Sequence, residues 1–482
     1  MTEGLSARAA RGSLWLGLVN LLSKGSQVAT TIALAAFLTE ADLGVATVAV
    51  ALVNVGQVLQ SMGVYDVIAR TERDAKVVAG TLMTMSVCVG AVLAAIAAVG
   101  AAPIAGCLGA PGQGPLVALA AASLPFSAAG GVQMALMHRT LNFRQRLVPD
   151  SGSAIIGATV TVVLAAAGAG AYSLAIGLLC TAILQPILGL LVGVRIGFRW
   201  NRPAATEAFR WIRIVGPAAF VATLLVNVDY PVISRVLGTD AVGVYSVAFR
   251  IAWVPYIMMA IVIGAVAFPV YSEMLRGGQR DGIPRAVGVF TNAVLLVAGG
   301  AYALIAIMAN HVVLLGERWA GAIPVLILLC GYGIGISLLS TWFEAIRAVG
   351  HIRWYLYFEI AHLTMLVITL LLFTRHGIIT VGVVQLAVAW SMVPVVFRSL
   401  RAAGIAPPAA GIWRAVIGLV LPAAVALAAS QLLRRTGLLG PDTSLAAAAI
   451  ELTVVLTCFA LVAIPANMPV LRELWQLRTK KV

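Results

Sequence analysis

Between residues 12 and 465 the chain is a succession of apolar runs, most of roughly 20 to 30 residues, separated by short polar turns. About 20 consecutive apolar residues carry an α-helix across the roughly 30 Å hydrocarbon core of a bilayer. Runs such as Ala154 to Ala167 are continuous, whereas the strands of a membrane barrel alternate apolar with polar residues. Inside hydrocarbon every backbone N–H and C=O must find its partner within the protein, so the pattern predicts an all-α integral membrane protein. Composition leaves no room beside it for a water-soluble domain. Hydrophobic residues make up 61% of the 482 positions and charged residues only 10%, against about half and a quarter in soluble domains.

The runs place helices over residues 12–38, 43–69, 77–101, 115–138, 148–169 and 172–194. After a polar stretch they continue over 213–237, 241–270, 285–309, 320–346, 353–374, 379–400, 411–432 and 444–465. That is about fourteen transmembrane helices, an even number, which puts both termini on one side. Arg8 and Arg11 precede the first run. It is too long for a signal-peptide core and lacks a small-residue cleavage site, so it reads as the first membrane helix.

A net charge of +14 would point to nucleic acid in a soluble chain, but here the charges sort by side. Of the 32 basic residues, 25 fall at the turns on the side of the N-terminus, including Arg70, Arg73, Arg139, Arg144, Arg199, Arg276, Arg347 and Arg401. Arg235, Arg318, Arg375, Arg434 and Arg435 lie near the opposite face, and Lys24 and Arg250 lie inside helices. Basic loops stay cytoplasmic, which predicts cytoplasmic termini and no nucleic-acid partner. The five cysteines, Cys88, Cys107, Cys180, Cys330 and Cys458, show no paired spacing and read as packing residues rather than metal ligands or disulfides. There is no phosphate-binding glycine loop with its Lys, no metal-type His/Cys spacing and no pair of acids in an aqueous loop. No cofactor, metal or enzymatic activity is therefore expected. Transport is the expected class.

The longest inner connection, Arg195 to Arg213, is polar, Arg-rich and contains Pro203. It predicts a first six-helix bundle over 1–200, a second over 201–405, and two additional helices with a tail over 406–482. The bundles read as repeats. Phe37-Leu-Thr-Glu-Ala-Asp-Leu-Gly44-Val-Ala aligns with Val236-Leu-Gly-Thr-Asp-Ala-Val-Gly243-Val-Tyr, and Arg139 after the fourth helix corresponds to Arg347 after the tenth. Duplicating six helices preserves orientation, so the bundles are expected to be related by a pseudo-two-fold axis along the membrane normal.

A charge within a membrane helix costs about 2.5–3.5 kcal/mol on insertion scales and is by default a functional candidate. Lys24 lies in the first helix, Asp229 in the seventh within Asn227-Val-Asp229-Tyr230, and Arg250 in the eighth. Two arrangements fit. In one, a polar cavity uses Lys24 and Arg250 to bind an anionic group, with Asp229 tuning them or accepting a coupling cation. In the other, Asp229 and Arg250 form a buried ion pair that fixes packing. Glu359 and His362 share a face of the eleventh helix, either as a proton relay or as an interfacial pair. Asn54, Gln57 and Gln60 make a polar stripe that either lines water or joins helices. Asp66 and Glu451 stay open in the same way, and Arg235 is placed to reach lipid headgroups.

These residues carry a resemblance. Leu38-Thr-Glu-Ala-Asp-Leu-Gly44, Arg139-Thr-Leu-Asn-Phe-Arg144 and Gly168-Ala-Gly-Ala-Tyr-Ser-Leu174 belong to it, as does Gly316-Glu-Arg-Trp319. The most specific stretch is Asn227-Val-Asp-Tyr230, Arg235-Val-Leu-Gly238, Gly243-Val-Tyr245-Ser-Val-Ala-Phe-Arg250, Pro255 and Phe268-Pro-Val-Tyr-Ser272. The chain resembles the polysaccharide transporters of the multidrug/oligosaccharidyl-lipid/polysaccharide superfamily, the Wzx-type flippases of the colanic-acid-exporter-like group. The resemblance implies a bacterial cytoplasmic-membrane flippase for a polyprenyl-pyrophosphate-linked oligosaccharide, working by alternating access and driven either by a proton or sodium gradient or by the membrane potential acting on the cargo's charge. It further implies glycosyltransferase or polymerase partners and a substrate site drawn from Lys24, Arg250, Asp229, Asn227, Arg235 and Tyr245. Where the family has an Arg near the end of the first helix this chain has Ala36; either Lys24, deeper in that helix, replaces its charge, or the anion site rests on the seventh and eighth helices alone. The alternatives are a drug or small-cation exporter of the same superfamily and a membrane-embedded enzyme of glycan assembly.

Overall fold

The computed structural model describes residues 26, 30–61, 63–140, 143–436 and 444–468. Every regular element among them is helical. Thirteen of the helices are long and apolar enough to cross a membrane, from Glu40–Arg70 to Leu445–Ala466, and they fall one for one on the second to fourteenth helices expected from the apolar runs. The protein is a multi-pass membrane protein. Most of the first expected helix, with Lys24, lies outside the described residues.

The chain forms two compact units, Met1–Ser246 and Val247–Val482. The first contains α1 (Glu40–Ser61), α2 (Val64–Arg70), α3 (Ala75–Val99), α4 (Ala101–Cys107), α5 (Gly114–Ala121) and α6 (Leu124–Arg139). It continues through α7 (Phe143–Leu147), α8 (Ser153–Ala166), α9 (Tyr172–Leu191), α10 (Arg202–Asn227), α11 (Asp229–Leu237) and the start of α12 (Thr239–Pro255). Gly63, at φ +74°, makes the left-handed turn that separates α1 from α2.

Lipid is as apolar as a leucine side chain, so helices in a membrane associate through close packing of small residues and through polar contacts. This unit does so in reciprocal pairs. A Cβ added to Gly157 on α8 would overlap Thr181 on α9, and one added to Gly177 on α9 would overlap Thr161 on α8. Gly130 and Gly189 face Gln185 and Gln133 in the same reciprocal way across α6 and α9. One apolar core gathers Val45, Ala49, Leu116, Ala120 and Ala175. A second gathers Val67, Ile68, Val78, Leu82, Val132 and Ala208.

The polar connection before α10 is pinned to α3. The Arg199 N–H donates to the Gly80 carbonyl at 3.3 Å, and the Thr84 hydroxyl donates to the Arg199 carbonyl at 2.9 Å. The Asn201 side chain caps α10 by accepting from the Ala204 N–H at 3.0 Å.

The second unit holds the rest of α12, then α13 (Ile261–Arg276), α14 (Ile283–Val294), α15 (Gly300–Ile307) and α16 (Ala322–Ala348). It ends with α17 (Ile352–Phe373), α18 (Ile378–Ala402), α19 (Ala409–Arg435) and α20 (Leu445–Ala466). Single π-helical turns interrupt two spans, at Tyr256–Ala260 directly after Pro255 and at Leu295–Gly299. Such turns widen the backbone ladder and recur at functional positions. The second of them places Gly299 and Gly300 under Leu419 of α19 and Phe459 of α20, with added Cβ contacts of 2.9 and 2.8 Å. The last two helices are therefore seated on the unit at backbone distance.

Candidate functional site

Asp229 stands where one membrane span breaks. Pro231 has no N–H to return to the Asn227 carbonyl, and the Asn227 side chain donates instead to the Thr223 carbonyl at 2.9 Å. The α10 helix consequently stops at Asn227, Val228 bends, and α11 restarts at Asp229. Asp229 is fully buried. One carboxylate oxygen accepts the Tyr245 hydroxyl at 2.6 Å and the other the Tyr230 N–H at 3.0 Å. The two tyrosine rings meet edge to face with centroids 6.0 Å apart. A helix N-terminus is the favourable place for a buried negative charge, and a short hydroxyl-to-carboxylate bond is among the stronger ones available.

Asp229 and Tyr245, two of the residues expected at the site, are thus brought together, with Asn227 at the end of the preceding helix. The Asn54 side chain donates to Asn227 Oδ1 at 3.1 Å, and Gln60 donates to the Ser127 hydroxyl at 2.8 Å. At these two positions the polar stripe of α1 joins helices. Arg235, further along α11, donates to the Cys107 carbonyl at 3.2 Å and so satisfies the exposed C-terminal end of α4. Arg250 lies on α12, half-buried, in the second unit.

Glu359 and His362 lie one turn apart on one face of α17, 9% and 6% exposed. His362 Nε2 has no hydrogen-bond partner among the described residues, and neither do Asn292 Oδ1 or the Tyr271 hydroxyl in the same unit. Buried polar atoms are normally satisfied, so these three are exceptions among the described residues.

A second buried charge centre was only half legible in advance. Glu451, fully buried on α20, accepts the Ser430 hydroxyl at 2.5 Å and the Arg434 guanidinium at 2.9 and 2.7 Å. His311, on the 3₁₀ segment Ala309–Leu315, completes the set at 2.7 Å. With its oxygens this fully engaged the carboxylate serves as a clamp between the C-terminal hairpin and the preceding helices. Its signal was a lone acid in an apolar run with Arg434 a hairpin away. Asp66 forms an exposed pair with Arg70 at 3.8 Å. No group of three or more His, Cys, Asp or Glu residues suited to a metal occurs among the described residues.

The repeat-related arginines have taken different work. Arg139 donates to the carbonyls of Ile68 and Thr71, closing the end of α2. Arg347 pairs with Glu344 at 3.0 Å and lies over the rings of Phe268 and Tyr355.

A protein-family model described as polysaccharide biosynthesis protein matches residues 33–324. The succinoglycan biosynthesis transport protein ExoT of Rhizobium meliloti (strain 1021) is 26% identical over 371 residues, covering 72% of this chain and 74% of that protein. The lipopolysaccharide biosynthesis protein WzxC of Escherichia coli (strain K12) is 23% identical over 339 residues, 68% of each chain. Among solved structures, the lipid II flippase MurJ in an inward closed conformation shares the fold with a TM-score of 0.76 at 11% identity, covering 96% of this chain and all of that one. An inward-facing multidrug resistance transporter of the MATE family, from the MOP superfamily, matches at 0.60 with 16% identity, covering 80% of this chain and 95% of that one.

Proposed function

Because the chain belongs to the polysaccharide biosynthesis protein family, we propose that it is a flippase. It carries a polyprenyl-pyrophosphate-linked oligosaccharide from the cytoplasmic to the outer face of a bacterial cytoplasmic membrane by alternating access, and it releases the cargo chemically unchanged. The observation that carries the reading is the family match over residues 33–324, joined to one relative named a succinoglycan biosynthesis transport protein and another named a lipopolysaccharide biosynthesis protein. The fold, shared end to end with a lipid II flippase, is in keeping with it.

The physical demands of such a cargo agree. A glycan and a diphosphate need polar, positively charged surroundings, while the prenyl tail stays in lipid. We assign Lys24 and Arg250, the cations inside the membrane, to the diphosphate, with Asn227, Arg235 and Tyr245 as further substrate-binding positions. Asp229, Glu359 and His362 are the candidates for a coupling proton or sodium ion. The membrane potential acting on the cargo supplies a second drive, about 2.3 kcal/mol per charge per 100 mV. The Arg-rich ends face the cytoplasm together with both termini, and the two six-helix bundles, 1–200 and 201–405, move against each other with 406–482 added. Glycosyltransferases would supply the cargo and a polymerase would consume it.

The test is reconstitution. Purified protein in sealed vesicles loaded with a fluorescent lipid-linked oligosaccharide should move the headgroup across the bilayer in a gradient-dependent manner. Resistance to cationic dyes with no glycan movement would favour a small-cation exporter. Turnover of the lipid-linked sugar in detergent, with no bilayer present, would favour an enzyme.

A further inference from the structure

The two turns that carry the internal repeat touch each other, and they do so reciprocally. Gly44 on α1 and Gly243 on α12 are equivalent positions. A Cβ on Gly44 would overlap the Thr239 carbonyl oxygen and lie 2.7 Å from its carbon and 3.0 Å from Gly243 N. A Cβ on Gly243 would overlap the Glu40 carbonyl oxygen and lie 2.7 Å from its carbon and 2.9 Å from Glu40 Cα. Glu40 and Thr239 are the first residues of α1 and α12 and are themselves equivalent in the repeat. The start of each helix therefore rests on the other's glycine. Contacts in which one residue meets a second, and the equivalent of the second meets the equivalent of the first, are the signature of a two-fold axis. Here the axis relates two parts of one chain.

The contact is backbone on backbone. Among the described residues no hydrogen bond or ion pair joins the two turns, so it is held by dispersion and by weak Cα–H to carbonyl contacts. Each turn is stiff. The Thr39 hydroxyl donates to Asp42 Oδ2 at 2.7 Å and accepts the Asp42 N–H at 3.1 Å, while Gly238, at φ +91°, makes the tight corner before α12. Two stiff surfaces with nothing interlocked can part and meet again at small cost. The fixed contacts of the protein are built differently, by interdigitated Thr side chains at Gly157 and Gly177 and by the four bonds at Glu451.

We propose that the Gly44–Gly243 crossing is the closing contact of the outer pathway, the place where the repeats part to release cargo and seal afterwards. The proposal rests on the flippase reading for its direction and on the reciprocal contact for its position. Only glycine permits the seal. An alanine at either position forces the helix starts apart by about 1.5 Å to reach ordinary van der Waals separation, although alanine would otherwise favour each helix by about 1 kcal/mol.

The test places spin labels at Phe37→Cys and Val236→Cys, equivalent exposed positions immediately before the two turns (52% and 44% exposed), in a chain with its own cysteines replaced. Distances are measured in lipid nanodiscs. The labelled parent should show two distance populations, the shorter one dominant. Gly44→Ala combined with Gly243→Ala should deplete the shorter population and lower glycan movement about tenfold, while the amount of protein in the membrane stays normal. A single population in the parent, or a shorter population unchanged by the alanines, overturns the proposal, as does full transport in the double variant. Should the double variant not accumulate, the parent's one or two populations decide the question. Two populations with no glycan movement in the parent would sink the cargo reading and leave the crossing intact.

Discussion

The Asp229 centre separates a transport role from a packing role through two substitutions that perturb it in opposite ways. Tyr245→Phe keeps the ring and the edge-to-face contact with Tyr230 but removes the 2.6 Å hydroxyl-to-carboxylate bond. Asp229 is fully buried and keeps only the Tyr230 N–H of these two donors. A hydrogen bond to a charged group is worth about 1.5–3 kcal/mol, and a buried acceptor that loses its donor bears the desolvation as well. Tyr245→Phe should therefore cost about 2 kcal/mol of stability. Asp229→Asn keeps the volume and one carbonyl acceptor for the Tyr230 N–H, turns the other oxygen into an amide donor that the Tyr245 hydroxyl oxygen can accept, and removes the charge. If Asp229 handles a coupling cation or tunes the cargo's cationic ligands, this variant should unfold within about 1 kcal/mol of the parent. It should nevertheless lose glycan movement by about tenfold or more, equivalent to about 1.4 kcal/mol or more in the transport cycle. The assays are chemical denaturation in detergent and headgroup movement in vesicles. Full transport by Asp229→Asn, with stability lost at Tyr245→Phe, would show that the centre only holds the break between α10 and α11 in shape.

Three further outcomes follow from the geometry. Glu451→Ala removes the shared acceptor of Ser430, part-buried Arg434 and buried His311, so it should cost about 1–3 kcal/mol, and Glu451→Gln less; hydrogen exchange should place the loss in α19 and α20. Gly177→Ala should destabilise by about 1–3 kcal/mol through overpacking, and Thr161→Ala should restore only part of it, because Thr161 Oγ1 is removed while the Gly157 carbonyl oxygen and the Cβ of residue 161 stay at 2.9 Å; a double-mutant cycle reads the coupling directly. Glu359→Gln should leave downhill movement of the cargo in place and remove its dependence on an imposed ion gradient, measured in the same vesicles with and without the gradient.

Much of the fold was legible because the bilayer imposes a length scale. The thirteen described spans fall on the apolar runs, since the signal is a stretch of residues rather than a pattern of contacts. The interruptions were harder to see. Pro231 announces the break at Asn227, but the π-helical turn at Leu295–Gly299 has no proline within it and shows itself only through the glycines it presents to Leu419 and Phe459. The candidate site was legible as a set of residue types. Asp229 stood out as a charge where apolar residues are cheaper, and it meets Tyr245, while Asn227, two residues before it, bonds Thr223 and Asn54 instead.

Which groups satisfy one another could not be read, because a hydrogen bond between distant helices leaves no trace in spacing. Asn54 reaches Asn227 across 173 positions, and His311 reaches Glu451 across 140. At one place alignment and contact coincide. Gly44 and Gly243, matched in the sequence, lie against each other backbone to backbone, although the alignment alone did not say that they would touch. Equivalent residues near the axis must meet or diverge together, and a glycine held at both copies marks where the backbones touch.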